Sequence, residues 1–301
     1  MRVLVTGGAG YVGSTLVPAL LAEGHHVRVL DRLRAGGEGL LSCCGHAGFE
    51  MVVGDVCDER AVAAALRGVD AIVHLAAVVG EPACAGEPAQ AWMTNVEGTS
   101  TLVKLRQAGQ SLLFASTGSV YGKVTDAVCT ESTSVGPNTQ YAKAKALGEQ
   151  MVLDAGNAVV YRFATAFGVS QRLRTDLLVN DFVYKAVRQG YLVVYQPGFR
   201  RTLVHVRDMA RSIVFALRNW HGLADDVYNV GNAELNLSKA AIAGAIARRT
   251  GCYVHFAEFA TDPDQRDYAV SYRKIEDKGF TAEVDLETGL AELVGAARLL
   301  P

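Results

Sequence analysis

The chain lacks the features that mark several large protein classes. Its six cysteines, at 43, 44, 57, 84, 129 and 252, show no paired Cys-x-x-Cys spacing and have no matching histidine cluster. A zinc site or a disulfide framework is therefore not expected, no metal is expected at all, and reduced thiols are the default. No stretch approaches the run of about 18 apolar residues that a membrane-spanning helix needs. Neither sign of charge dominates: the net charge of −2 gives no electrostatic reason to expect nucleic acid or an anionic membrane as a partner. Repeats, low-complexity tracts and flexible linkers are also missing. No secretory pattern precedes the apolar Val3-Leu4-Val5, so a cytoplasmic location is expected.

What is present is ordinary for a water-soluble globular chain. Half of the 301 residues are hydrophobic and 20% are charged, enough for one large domain or two modest ones. The first two thirds alternate short apolar runs with helical patterns. Strands are expected at 3–6, 26–31, 49–53, 71–75, 111–115 and 158–163, and helices at about 12–23, 58–67, 87–109 and 139–155. Nearly continuous apolar strands alternating with helices point to a parallel sheet covered on both faces, an α/β, doubly wound, Rossmann-type fold. After Ala166 the pattern becomes irregular, with helical stretches near 178–189, 207–219, 238–250 and 284–297 and short strands at 227–230 and 252–256. The expected organisation is a dinucleotide-binding domain over 1–166 and a smaller α/β substrate lobe over 167–301, with a cleft between them. Later strands are free to join the first sheet.

The first strand ends in Gly7-Gly8-Ala9-Gly10-Tyr11-Val12-Gly13 and runs into a helix. Glycines let such a turn tighten and let backbone N–H groups approach a pyrophosphate at the positive end of the helix. Gly7, Gly10, Tyr11, Val12 and Gly13 are the expected contacts. Asp31 closes the second strand, where a carboxylate is needed to accept hydrogen bonds from the adenosine ribose. It would repel a 2′-phosphate. Arg32 beside it is the one residue that argues for NADP, and the acid in the primary position favours NAD. Asp55 and Val56 after the third strand could reach the adenine, and Leu75, Ala76 and Ala77 after the fourth would lie beneath the dinucleotide.

Tyr141 and Lys145 stand four residues apart on an expected helix, so both side chains can reach one site. A free tyrosine titrates near about 10 and is a poor base at neutral pH, whereas a fixed positive charge beside it favours the phenolate. Such a phenol is a general acid/base for a sugar or alcohol hydroxyl. Taken alone, the pair also reads as two unrelated residues on an exposed helix face.

With these parts in place the chain resembles the extended short-chain dehydrogenase/reductase family, specifically its nucleotide-sugar epimerases and dehydratases. The resemblance rests on the glycine loop from Thr6 to Gly13, Gly54-Asp55-Val56, His74-Leu75-Ala76-Ala77, Asn95-Val96-Glu97-Gly98-Thr99, Ser116-Thr117-Gly118-Ser119-Val120-Tyr121-Gly122, Tyr141-x-x-x-Lys145, Arg201 with His205-Val206-Arg207-Asp208, and Arg266. These motifs span nearly the whole chain in order. The resemblance implies NAD as cofactor, a nucleotide-diphosphate sugar as substrate and a homodimer with a seam on helices 87–109 and 139–155. It makes Tyr141 the catalytic base and Lys145 its electrostatic partner, which also binds the nicotinamide ribose. Thr117 would hydrogen-bond the reacting sugar oxygen. Asn95, Ala115 and Phe163 would lie near the cofactor, and Ser119, Thr165 and Asn180 near the substrate. Arg201 and Arg266 match arginines that hold the diphosphate, with Arg200 a competitor for the first.

Two departures bear on the reaction. Relatives that dehydrate or decarboxylate the sugar usually carry a carboxylate just after the Thr117 position, and this chain has Gly118 and Ser119. Thr165 replaces an asparagine common in 4-epimerases. The expected activity is epimerisation, at C4 and through a transient 4-keto sugar. A 4-ketoreductase or dehydrogenase is the alternative, a 4,6-dehydratase is less favoured, and a non-catalytic NAD sensor is remote.

Overall fold

A computed structural model of the chain describes residues 1–124, 128–257 and 267–300. Seven parallel strands form the main sheet in the spatial order Asp226–Val230, Ala158–Phe163, Ser111–Thr117, Ala71–His74, Arg2–Thr6, His26–Asp31 and Phe49–Val53. Strand order reverses between Arg2–Thr6 and Ala71–His74, which are hydrogen-bonded neighbours. That reversal opens a crevice at the carboxyl ends of the strands, where doubly wound sheets bind ligands.

Both faces of the sheet are covered. On one face Val3, Val5, Val27 and Val29 meet Leu16, Val17 and Leu20 of the Gly13–Ala22 helix and Ile213 of the Val206–Arg218 helix. On the other face Leu4, Ile72, Leu112, Phe114 and Val160 meet Val62, Leu102 and Val152 from three further helices. A separate core is built on Phe167, Val183, Leu203, Ile242 and Leu290. The Asp226–Val230 strand and the Val206–Arg218 helix come from the later chain yet complete the first layer, so the sheet is not closed by residue 166. Among the described residues no helix is long and apolar enough to cross a membrane.

The strand expected at 111–115 runs on to Thr117, because Ser116 and Thr117 stay in parallel register with Arg162 and Phe163. The Ser116 hydroxyl is buried but donates to Glu149, which removes the cost of placing a polar side chain there. The single helix expected over 87–109 is instead Pro88–Trp92, a π-turn at Met93–Glu97, and Gly98–Leu105. The π-turn presents Asn95 to the loop after the fourth strand, where its amide bonds both Val78 N–H and Val78 C=O at 2.7 and 2.9 Å. A short helix, Glu81–Gly86, also forms, with Pro82 in its first turn where a missing N–H costs nothing.

Candidate active site

A cleft of about 800 Å³ lies along the carboxyl ends of the strands. The end at the glycine loop is made largely of backbone. Gly7 has φ +72°, and a Cβ there would stand 2.6 Å from the backbone N of Ala76, so the loop has room for no side chain at that point. The helix behind the loop starts at Gly13 and has no acidic residue in its first turn, which leaves the positive end of its dipole uncompensated for an anion. Asp31 accepts from Ala9 N–H at 3.0 Å and Leu33 N–H at 2.8 Å, so one carboxylate ties the glycine loop to the end of the second strand. Arg32 donates to Asp55 at 3.2 Å. Burial raises the Asp55 carboxyl, and hydrogen bonds from Cys57 and Arg32 outweigh it, holding the group below the usual carboxylate range. Val56, Leu75, Ala76 and Ala77 complete the walls. A pyrophosphate cradle, a ribose-binding acid and apolar walls for flat rings are the parts a dinucleotide needs, and the residues present fit one.

The other end is made of side chains. Thr139 caps the Gln140–Asp154 helix by accepting from Ala142 N–H at 3.2 Å. Gly148 lets that helix lie close on the sheet, since a Cβ there would meet the Phe114 ring at 2.6 Å. The close approach carries Lys145 into the interior, where its Nζ donates to Ala115 C=O at 2.8 Å and stands 4.7 Å from the Phe114 ring centre. Burial pulls the Lys145 ammonium down to about 8, opposed by Cys84 and Glu149. Tyr141, one turn earlier on the same face, is 9% exposed and lines the cleft, so the exposed-face reading of the pair is excluded. Thr117 ends the neighbouring strand. Its hydroxyl accepts from Ser119 N–H and donates to Ser119 Oγ, both at 3.1 Å. Phe163 is its register partner on the next strand, and Ala115, Ser119 and Thr165 share the wall.

Beneath the cleft His74 bonds Thr6 Oγ1 at 2.7 Å and Thr99 Oγ1 at 3.0 Å. Burial, with Lys145 nearby, pulls this imidazole down to about 3, so it is a neutral strut.

Three residues expected in the site stand behind its walls. Asn95 holds the Val78 backbone, as described. Asn180 accepts from Gly168 N–H at 3.0 Å and donates to Arg174 C=O at 2.8 Å, so its amide shapes the loop that borders the cleft. Arg201 is 4% exposed within the Arg200–His205 strand, and its Nη1 donates to Arg200 C=O at 2.9 Å. Arg200 pairs with Asp267 at 3.4 Å. Arg266 lies outside the described residues.

The cleft also collects side chains with no sequence signal. Arg172 and Arg174 reach it from the loop after Phe167, and Arg34 from the loop after the second strand. Glu81 lines it at the start of its short helix and accepts from Tyr141 N–H at 3.2 Å, which satisfies an orphan donor at the start of the Tyr141 helix. Nothing in their spacing announces them, because each arrives from a separate loop.

Known proteins carry the same design. The model of the NAD dependent epimerase/dehydratase family matches residues 3–231. The chain is 32% identical to a dTDP-glucose 4,6-dehydratase of Streptomyces niveus, over 98% of this chain and 92% of that one. Among solved structures it is similar to DesIV, a dTDP-glucose 4,6-dehydratase from Streptomyces venezuelae with NAD bound, at 30% identity and TM-score 0.89, covering 99% of this chain and 97% of that one. It is also similar to a Thermus thermophilus UDP-glucose 4-epimerase in complex with NAD, at 26% identity and TM-score 0.87, covering 99% of both.

Proposed function

Since the chain belongs to the NAD-dependent epimerase/dehydratase family, and is thus an NAD-dependent enzyme of nucleotide sugars of the extended short-chain dehydrogenase/reductase type, we propose that it is an epimerase acting at C4 of the sugar. One observation carries the choice. The turn after Thr117 is Gly118-Ser119, and the Thr117 side chain bonds back onto Ser119, so no carboxylate stands next to the threonine. Elimination of water across C5–C6 needs an acid and a base beyond the tyrosine. Asp31 and Asp55 lie at the dinucleotide end, which leaves Glu81 as the single carboxylate near Tyr141 among the described lining residues.

In this reading Tyr141 takes the proton of the C4 hydroxyl, and Thr117 holds that oxygen as charge develops on it. Lys145 favours the phenolate and would bind the nicotinamide ribose. Bound NAD supplies the acceptor and returning donor of the C4 hydride. Gly7, Gly10 to Gly13, Asp31, Asp55 and Val56, and Leu75 to Ala77 hold that cofactor, with Ala115 and Phe163 at its nicotinamide end and Asn95 behind. Thr165 and Ser119 face the sugar. The diphosphate is assigned to arginines: Arg172 and Arg174 line the cleft, and Arg201 and Arg266 remain expected contributors. The same proposal includes a homodimer, since Trp92, Met93 and Leu147 are exposed on the two helices expected at its seam, and a cytoplasmic location.

The dehydratase reading has its own support, in the names of the relatives above and in Glu81. A panel of UDP-, dTDP-, GDP- and CDP-sugars with the NAD-loaded protein separates the two. Epimerisation yields an isomer of unchanged mass, told from the substrate by its chromatographic retention. A product lighter by one water would establish the dehydratase, and one gaining two hydrogens, a hydride from NADH and a proton from solvent, the ketoreductase.

A further inference from the structure

We propose that Glu149 is a positioning residue for the Tyr141–Lys145 pair: its buried carboxylate holds the strand end that carries Thr117 and keeps a negative charge one helical turn behind the Lys145 ammonium. The proposal rests on the acid–base reading above and goes one step behind it. Tyr141, Lys145 and Glu149 follow at i, i+4 and i+8 along the Gln140–Asp154 helix and are all buried, forming one stripe toward the sheet. The stripe grips successive residues of one strand. Lys145 Nζ holds Ala115 C=O at 2.8 Å, and Ser116, the next residue, gives its hydroxyl to Glu149 Oε1. Thr117 is the residue after that. A shift of Ser116 therefore moves the hydroxyl that faces the sugar.

The carboxylate is itself fixed from behind. Arg162 Nε lies 3.0 Å from Oε1 and its Nη2 2.8 Å from Oε2. Arg162 Nη1 donates to the Tyr121 hydroxyl at 3.2 Å, and that hydroxyl donates to Asn229 Oδ1 at 2.7 Å. Both members of the ion pair are 6% exposed. A buried pair of this kind is a poor way to gain stability, because apolar residues of similar volume commonly do as well. Its place directly behind the lysine supplies the missing reason.

The groups facing Lys145 support that assignment. Phe114 presents only a ring, and His74 on the Ala71–His74 strand is neutral. Cys84 on the Glu81–Gly86 helix has its thiol pushed up to about 11 by burial and Glu81, so it carries no charge at neutral pH. Glu81 sits at the far end of the helix on Tyr141 N–H. Glu149, ion-paired with Arg162 at 2.8 Å, is then the carboxylate one turn from Lys145. Burial works to strip the lysine of its proton; Cys84 and Glu149 oppose it, and the Cys84 thiol is uncharged at neutral pH.

The test reads Lys145 directly. NAD-loaded protein isotope-labelled at lysine Cε is titrated by NMR, and the Lys145 signal is assigned by its loss in Lys145→Met. In Glu149→Gln the Lys145 midpoint should fall by about one pH unit. The double variant Glu149→Gln/Arg162→Met removes the unpaired guanidinium, so it keeps the test open if the single variant does not fold; its midpoint should also stay below that of the parent. An unmoved midpoint in a folded variant overturns the proposal. Turnover of dTDP-glucose and UDP-glucose by Tyr141→Phe is measured alongside. Retained turnover there would sink the acid–base reading, whereas a dead Tyr141→Phe with an unmoved Lys145 midpoint sinks the Glu149 proposal alone.

Discussion

The two ends of the cleft are built by different means. At the proposed dinucleotide end the surface is mostly backbone: a glycine loop, a helix N-terminus and one aspartate that ties the loop to the end of the second strand. At the other end it is side chains delivered from four separate places: the Ser111–Thr117 strand, the Gln140–Asp154 helix, the Glu81–Gly86 helix and the loop after Phe167. A backbone surface suits a cofactor whose chemistry is constant. A surface of converging side chains can be retuned one residue at a time, which is what a change of sugar or reaction requires.

That contrast can be broken or sharpened by substitution. The largest effect is expected at Tyr141→Phe, which removes the acid/base and should lower kcat by about 10²–10⁴-fold with the NADH fluorescence titration unchanged. Gly7→Ala should do the reverse. Its Cβ would stand 2.6 Å from Ala76 N in a left-handed backbone, so dinucleotide affinity should fall by about 100-fold, read by the same titration. Loss of dinucleotide binding in Tyr141→Phe, or its retention in Gly7→Ala, would erase the distinction between the two ends. Thr117→Val removes one hydrogen bond to an oxygen that gains charge, and should cost about 10-fold in kcat with little change in the cofactor titration. The smallest and most diagnostic effect is on pH. Lys145 titrates at about 8, depressed by burial, so its ammonium is intact below that pH and lost above it. Turnover should therefore decline above about pH 8, and a flat profile to higher pH would show that the phenol does not depend on the lysine's charge.

How much of this was legible in the sequence follows from the same contrast. The seven-stranded layer, its helices and the glycine loop are local patterns: apolar runs, helical periodicity and a turn that tolerates no Cβ. Tyr141 and Lys145 are also local, since one helix carries both. Asn180 looks like a substrate ligand in a linear reading, but its amide bonds Gly168 N–H and Arg174 C=O, and the burial of Arg201 within a strand has no linear signature either. The break of the 87–109 helix was hidden because it depends on a contact between Asn95 and Val78, 17 residues away. Glu81, Arg172, Arg174 and the Glu149–Arg162 pair were unreadable for one shared reason. Each acquires its place only when remote elements meet, and nothing in its own neighbourhood records the partner.

The central claim is that this site oxidises and re-reduces a single carbon. It is tested most directly by running the NAD-loaded protein with its nucleotide sugar in heavy water and weighing the product. Hydride leaving and returning at C4 exchanges no carbon-bound hydrogen with solvent. The account predicts an isomer of unchanged mass, free of carbon-bound deuterium. A product that has lost water and carries solvent deuterium on carbon would contradict it.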